Sequence, residues 1–332
     1  MGESIGASRE AVLAVDMGGS KFIVGFADGD GRILRRRREE WKDPASGEAV
    51  LSQLMTAIDE ELRAGGAPEV RAAGVAVPGF VDGAGETASM SLGGLRDWPV
   101  ARELQERFGL RVFADNDAKC CALAEQWFGS CRDCDDFMYI TVSTGVGGAF
   151  VLGGKLYYGA FGRAGEIGNT FMVRHGRANG KGREGTLEMY AATAGMAMNY
   201  LEFGGSPPAD GQRIDGRYLA SLARSGDAAA KRTFEREGEL LGSVIAQACN
   251  MLDIERVVLG GGISLAFELF SESLERTLFE QKYWRDGAFS VVPTVLGYEG
   301  ALVGAATRAL LGTGTRLSRP GPQRGRRTIP EG

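Results

Sequence analysis

The segment Met138-Tyr139-Ile140-Thr141-Val142-Ser143-Thr144-Gly145-Val146-Gly147-Gly148, running on through Gly165-Glu166-Ile167-Gly168-Asn169 to Glu188, decides the fold. Met138 to Val142 is an apolar run with one hydroxyl near its end, the pattern of a buried strand. Gly145, Gly147 and Gly148 follow, and glycine lets backbone N–H groups approach an anion closely. The segment therefore reads as a phosphate loop followed by a sugar pocket, with an ordinary β-hairpin as the alternative. Between its parts, Gly154-Lys155-Leu156-Tyr157-Tyr158-Gly159-Ala160-Phe161-Gly162 reads as an extended loop that delivers Glu166.

Similar strand-to-turn junctions recur on both sides. Ala11 to Val15 is a strand ending at Asp16-Met17-Gly18-Gly19-Ser20-Lys21, and Phe22 to Ala27 resumes it. Asp16 could hold a hydrated Mg²⁺ there while Ser20 and Lys21 face a phosphate; a hairpin with a turn-stabilising Asp is the alternative. Val70 to Val77 is a buried strand that turns sharply at Pro78-Gly79. Arg111 to Ala114 leads into Asp115-Asn116-Asp117 and a helix from Ala118 to Trp127. Polar residues at such a buried junction act or cap, so Asp117 is the best general-base candidate and a helix N-cap the alternative. Arg256 to Leu259 feeds Gly260-Gly261-Gly262 and a helix from Ile263 to Glu280, a second anion or nucleotide site.

The remaining chain supplies scaffold. Ile33 to Trp41, carrying Arg35 to Arg38, reads as a solvated edge strand because Glu39 and Glu40 follow at once. Apolar spacing predicts helices over Gly47 to Arg63, from Asp97-Trp98-Pro99 through Phe108, and over Leu187 to Phe203, Arg217 to Arg224, Asp227 to Leu252 and Gly300 to Leu311. Phe289 to Leu296 reads as the last strand, and Thr313 to Gly332 as a disordered tail.

At 332 residues the chain is expected to hold two domains. Its 44% hydrophobic and 24% charged residues exclude a disordered or membrane class. Glycine, at 51 residues, is about twice its usual share, which predicts many tight turns or ligand-hugging loops. A net charge of −5, from 43 acidic and 38 basic side chains, gives no global attraction to nucleic acid. Met1 to Glu10 has no apolar signal region, and no run approaches the ~18 apolar residues of a membrane helix, so a cytoplasmic protein is expected. Cys131 and Cys134 have C-x-x-C spacing without a second pair, and His175 is the sole histidine. Neither a disulfide framework nor histidine-based metal chemistry follows.

In this order the motifs are specific. Asp16 to Lys21, Gly74-Val75-Ala76-Val77-Pro78-Gly79, Asn116-Asp117-Ala118, Thr144 to Gly148, Gly165-Glu166-Ile167-Gly168 and Leu259 to Gly262 together resemble the ROK family of bacterial sugar kinases and repressors, over roughly residues 11 to 311. The resemblance implies an α/β, actin-like ATPase (ribonuclease H-like) fold, with two α/β domains around a cleft. The first domain would be residues 9–115 plus 300–312, and the second 116–299. Asp117 would take the proton from a sugar hydroxyl, usually O6, as it attacks the γ-phosphorus of MgATP. Gly79, Asn116, Glu166, Asn169 and Glu188 would face the sugar. Gly18, Gly19, Ser20 and Lys21, with Thr144 and Gly145, would meet the phosphates, Asp16 would hold Mg²⁺ through water, and Gly260 to Gly262 would border the adenosine. The expected partners are ATP and a small-molecule sugar, with no nucleic acid or membrane, in a homodimer or homotetramer.

The chain departs from the family pattern at one place. Relatives commonly bind zinc through a histidine after Glu-x-Gly and three cysteines; here Asn169 stands at the histidine position, and Asn179, Lys181 and Thr186 fill the cysteine positions. No structural zinc is therefore expected, and hydrogen bonds or packing should hold the loop instead. Because that histidine touches sugar in relatives, Asn169 could alter selectivity. Ser91 likewise stands where many relatives have Asn. A sugar kinase with glucose as default is the leading reading, with N-acetylmannosamine, fructose or an amino-deoxyglucose as alternative substrates. A sugar-binding protein without catalysis is the second. A repressor would need an N-terminal winged helix, and only Met1 to Glu10 precede the first strand.

Overall fold

The structure is a computed structural model that describes residues 11–82, 85–180, 182–208, 211–284 and 289–320. Lys181, the start of the chain and the tail beyond residue 320 lie outside the described residues. Packing divides the chain into two units. One holds the residues up to Asp133, Tyr158–Ala164 and those from Tyr298 on; the other holds Cys134–Tyr157 and Gly165–Gly297.

The first unit is built on β1 (Ala11–Met17), β2 (Lys21–Ala27), β3 (Ile33–Glu40), α1 (Gly47–Arg63), β4 (Val70–Val77), a small hairpin of β5 (Gly79–Val81) and β6 (Ala88–Met90), α2 (Val100–Phe108), β7 (Arg111–Asn116) and α3 (Asp117–Trp127). Its main sheet has the order β3-β2-β1-β4-β7. The first three strands pair antiparallel, and β1, β4 and β7 pair parallel. Side-chain alternation splits β1 between two cores: Leu13 and Val15 pack with Leu54 and Ile58 of α1, while Val12 and Ala14 face the opposite side. Burial on both faces explains the apolar run Ala11 to Val15 in β1, which Asp16 ends. The Ser46 hydroxyl caps α1 by accepting from the Ala49 N–H at 3.2 Å. On edge strand β3, Arg35 and Arg37 pair with Glu61 and Glu60 of α1, which accounts for the arginine run without nucleic acid.

The second unit repeats this plan with β8 (Phe137–Val142), β9 (Val146–Leu152), β10 (Lys155–Tyr157), α4 (Glu188–Ala191), α5 (Thr193–Glu202), α6 (Gly216–Ser225), α7 (Ala228–Leu252), β11 (Arg256–Gly260), α8 (Ser271–Gln281) and β12 (Ser290–Pro293). Its order, β10-β9-β8-β11-β12, again combines two antiparallel pairings with two parallel ones. Phe234, Leu241, Ile245 and Cys249 of α7 are buried in its core, as their spacing predicts. The chain then returns to the first unit with α9 (Gly300–Gly312). Leu302, Ala305 and Ala306 of α9 cover the face of β1 opposite α1. Small residues let it sit close: a Cβ at Gly304 would fall 1.9 Å from the Cys120 carbonyl oxygen of α3.

Several elements differ from the sequence expectation. The helix expected over Leu187 to Phe203 breaks at Ala192, which is extended, because the Thr193 N–H and hydroxyl both donate to Ser143 O. The helix expected over Ile263 to Glu280 is a kinked 3₁₀ stretch, Gly262–Leu269, followed by α8; Ala266 and Phe270 leave helical geometry. The last strand is shorter than Phe289 to Leu296, and the loop from Gly154 begins as β10. In the described part of the tail, Leu317 packs beside α9 and Arg319 lies 5.8 Å from the centre of the Trp127 ring. Among the described residues no helix is long and apolar enough to cross a membrane.

Candidate active site

Parallel strands end on one edge, and here the register decides which residues meet. Asp16 of β1 pairs with Ala76 of β4, which pairs with Asp115 of β7. Gly79, Asn116 and Asp117 follow immediately on that edge, the usual position for ligands in α/β sheets. Asn116, not Asp117, is the N-cap of α3: its Oδ1 accepts from the N–H groups of Ala118 and Lys119 at 3.0 and 3.2 Å. Its amide nitrogen donates to Gly79 O and to Asp117 Oδ1, both at 3.0 Å. Four hydrogen bonds thus engage the whole Asn116 amide, so it orients Asp117 and the Gly79 turn. Asp117 Oδ1 also accepts from the Ala118 N–H at 2.8 Å.

Asp16 has its pKa pushed up to about 7, first by burial, then by the neighbouring negative charge of Asp117, with Lys21 opposing both. A hydrated divalent cation beside Asp16 would relieve that repulsion, so Asp16 is the residue that could hold one. The adjoining hairpin turn is closed by the Gly18 N–H donating to Lys21 O at 2.8 Å. Trp41 clamps it from outside: its indole N–H donates to Gly18 O at 2.8 Å and its backbone N–H to Ser20 O at 3.1 Å. Lys21 Nζ stands 5.6 Å from the centre of the Tyr298 ring. Sequence reading missed Trp41 and Tyr298, because neither belongs to a glycine motif.

The corresponding edge of the second unit carries the Ser143-Thr144-Gly145 turn between β8 and β9, so the hairpin alternative is the local structure here. Glu188, at the start of α4, accepts from the Val146 N–H at 3.0 Å, and a side chain on Gly145 would meet its carboxylate at 2.8 Å. Gly260 pairs with Thr141, which sets Gly260 to Gly262 beside the same turn. Gly261 has φ +76°, and a Cβ there would fall 2.2 Å from Val142 O. Thr144, Gly145, Glu188 and the triglycine are therefore brought together, although 3₁₀ turns rather than an α-helix follow the triglycine.

Glu166 and Asn169 flank the short turn beside β9. The Asn169 amide donates to Glu166 Oε2 at 2.9 Å and accepts from Arg183 Nη1 at 3.3 Å. Arg183 escaped the sequence reading. Around it, the Asn179 N–H donates to Arg183 O at 2.7 Å and the Arg183 N–H to Asn179 Oδ1 at 3.0 Å, and Thr186 is buried. Arg177 fastens the loop: its guanidinium lies 4.5 Å from the centre of the Tyr190 ring, donates to Met189 O and Gly195 O at 3.2 Å, and pairs with Glu202 at 2.6 Å. Among the described residues no group of three or more His, Cys, Asp or Glu side chains is placed to hold a metal.

The ROK family model matches residues 12–310. The chain belongs to the ROK family. The glucokinase of Thermotoga maritima is 30% identical over 312 residues, covering 89% of this chain and 96% of that one. The N-acetylmannosamine kinase of Salmonella typhi is 33% identical over 273 residues, covering 81% and 88%. A crystal structure of a ROK family glucokinase from Streptomyces griseus, in complex with glucose and AMPPNP, superposes with a TM-score of 0.80 at 29% identity, covering 91% of this chain and 100% of that one. This ROK chain has the actin-like ATPase fold of such kinases, and each sheet carries a glycine-containing turn between two of its antiparallel strands.

Proposed function

We propose that this ROK chain transfers the γ-phosphoryl group of ATP to a hydroxyl of a hexose or amino sugar, with Asp117 as general base. The relatives compared above are sugar kinases, and it is an ATP-dependent sugar kinase. The observation that carries the mechanism is the register that sets Asp16 at the end of β1 level with Asp115 of β7, so that Asp117, two residues on, lies at the strand edge that also carries the Gly18–Lys21 turn. Asp117, oriented by Asn116 and the Ala118 N–H, accepts the sugar proton, usually from O6, as the oxygen attacks phosphorus. Gly18, Gly19, Ser20 and Lys21 meet the phosphates, as do Thr144 and Gly145, while Gly260 to Gly262 border the adenosine. Asp16 would hold Mg²⁺ through water, and when bound the ion neutralises developing phosphate charge.

Glu166, Asn169 and Glu188 accept and donate to the sugar hydroxyls, which need fixed partners once withdrawn from water. Glucose is the default substrate; N-acetylmannosamine, fructose and an amino-deoxyglucose are the alternatives. The test is coupled ADP release with MgATP over glucose, mannose, fructose, glucosamine, 3-amino-3-deoxyglucose, N-acetylglucosamine and N-acetylmannosamine. Turnover with one sugar well above the rest supports the proposal and names the substrate. Silence across the panel, with sugar binding seen by calorimetry, replaces it with a non-catalytic sugar-binding protein.

A further inference from the structure

Between β10 and Glu166 the chain joins the first unit for seven residues, Tyr158–Ala164, and returns at Gly165. Polar groups fasten this strap. The Tyr158 hydroxyl donates to Asp115 Oδ2 at 2.5 Å. Lys119 Nζ donates to Gly162 O at 2.7 Å and lies 5.3 Å from the centre of the Tyr158 ring. Asp115 and Lys119 are 2% and 4% exposed. Asp115 also accepts from the Asn116 N–H at 2.9 Å and faces Arg308 Nε at 3.5 Å. Near the strap's end, the Arg163 guanidinium stands 5.7 Å from the centre of the Phe80 ring, on the residue after Gly79.

Burying a carboxylate and an ammonium group is costly unless each finds a partner, and here each finds one on the strap. An apolar anchor does not replace them, because Phe161 at the strap's centre is 86% exposed. Asp115 and Lys119 bracket Asn116 and Asp117 in the chain, and Glu166 lies two residues beyond the strap. Slack in the strap would therefore pass along the backbone to Glu166.

We propose that Tyr158 and Lys119 are positioning residues for the sugar: they fasten the strap to the corner bearing Asn116 and Asp117, and thereby hold the segment that carries Glu166. Neither touches the reacting atoms. The kinetic consequence rests on the sugar-kinase reading, whereas the fastening itself does not. Removing the Tyr158 hydroxyl keeps the ring beside Lys119 and deletes one charge-assisted hydrogen bond. Removing the Lys119 ammonium leaves Gly162 O without its donor.

The test compares full-length Tyr158→Phe and Lys119→Met with the unchanged protein by amide hydrogen exchange without ligand, and by steady-state kinetics with the best sugar of the panel. Exchange is expected to quicken over both 158–164 and 165–170. The sugar KM should rise about 10-fold while kcat changes less than about twofold and the ATP KM is unaltered. Unchanged exchange over 165–170 in Tyr158→Phe overturns the proposal, as does faster exchange with an unaltered sugar KM. If Lys119→Met fails to fold, Tyr158→Phe, which loses a single oxygen, carries the test. If the unchanged protein phosphorylates no sugar, the kinase reading fails, and exchange over 165–170 alone decides the fastening.

Discussion

The indole N–H of Trp41 donates to the Gly18 carbonyl at 2.8 Å, across 23 residues of sequence, and so braces the turn proposed to meet the ATP phosphates. The Trp41 ring also stacks on Phe22 at 4.3 Å between ring centres. Trp41→Phe retains an aromatic stack and removes the donor. Its expected effect is a rise of about fivefold in the ATP KM with the sugar KM unaltered, measured by steady-state kinetics.

Asp117→Asn keeps the size of the side chain and removes its capacity to accept the sugar proton. Turnover should fall by at least ~10² while sugar affinity by calorimetry stays within a few-fold. Retained turnover would remove Asp117 from the role of base.

Arg183 holds the Asn169 amide in the orientation that donates to Glu166. Arg183→Ala should let that amide turn, raising the KM of the preferred sugar by about threefold and narrowing its lead over the other panel sugars. An unchanged ranking would show that Asn169 does not set selectivity.

The loop bearing Asn169, Asn179 and Thr186 is held by Arg177 and backbone pairing. Prolonged exposure to EDTA should leave the melting temperature unchanged, and elemental analysis should find no stoichiometric zinc. Arg177→Ala, in contrast, should cost about 2 kcal/mol in chemical denaturation.

Glu237 of α7 is fully buried, with no hydrogen-bond partner for either oxygen among the described residues. Burial raises its pKa well above the ordinary 4.5. The folded chain therefore retains a proton that the unfolded chain releases. Its contribution is fully present below pH 4.5 and declines as pH rises toward the folded-state pKa, by about 1.4 kcal/mol per pH unit. Glu237→Met should remove that loss and raise stability at pH 8 more than at pH 5, measured by denaturant unfolding at both values.

The strands that end in glycine turns, the family, and the acids that could act were legible in the sequence. Those signals are local: an apolar run specifies a buried strand, and glycine permits a turn that a Cβ would block, as at Gly261. The α1 boundaries, Gly47–Arg63, were legible for the same reason, since apolar periodicity and a Gly65-Gly66 stop lie within one segment. Sequence could not rank Asn116 against Asp117 as the α3 cap. Only the folded chain placed Gly79 O beside the Asn116 amide and engaged its remaining capacity. Trp41 on Gly18, Tyr158 on Asp115 and Arg183 on Asn169 were decided in the same way. Each joins separated parts of the chain through strand register or loop closure, and no short-range periodicity encodes which side chain will arrive there. The breaks at Ala192 and Phe270 have that origin too, because the tertiary partner at Ser143 outweighs local helix preference at the first, and the 3₁₀ geometry after the triglycine interrupts the second.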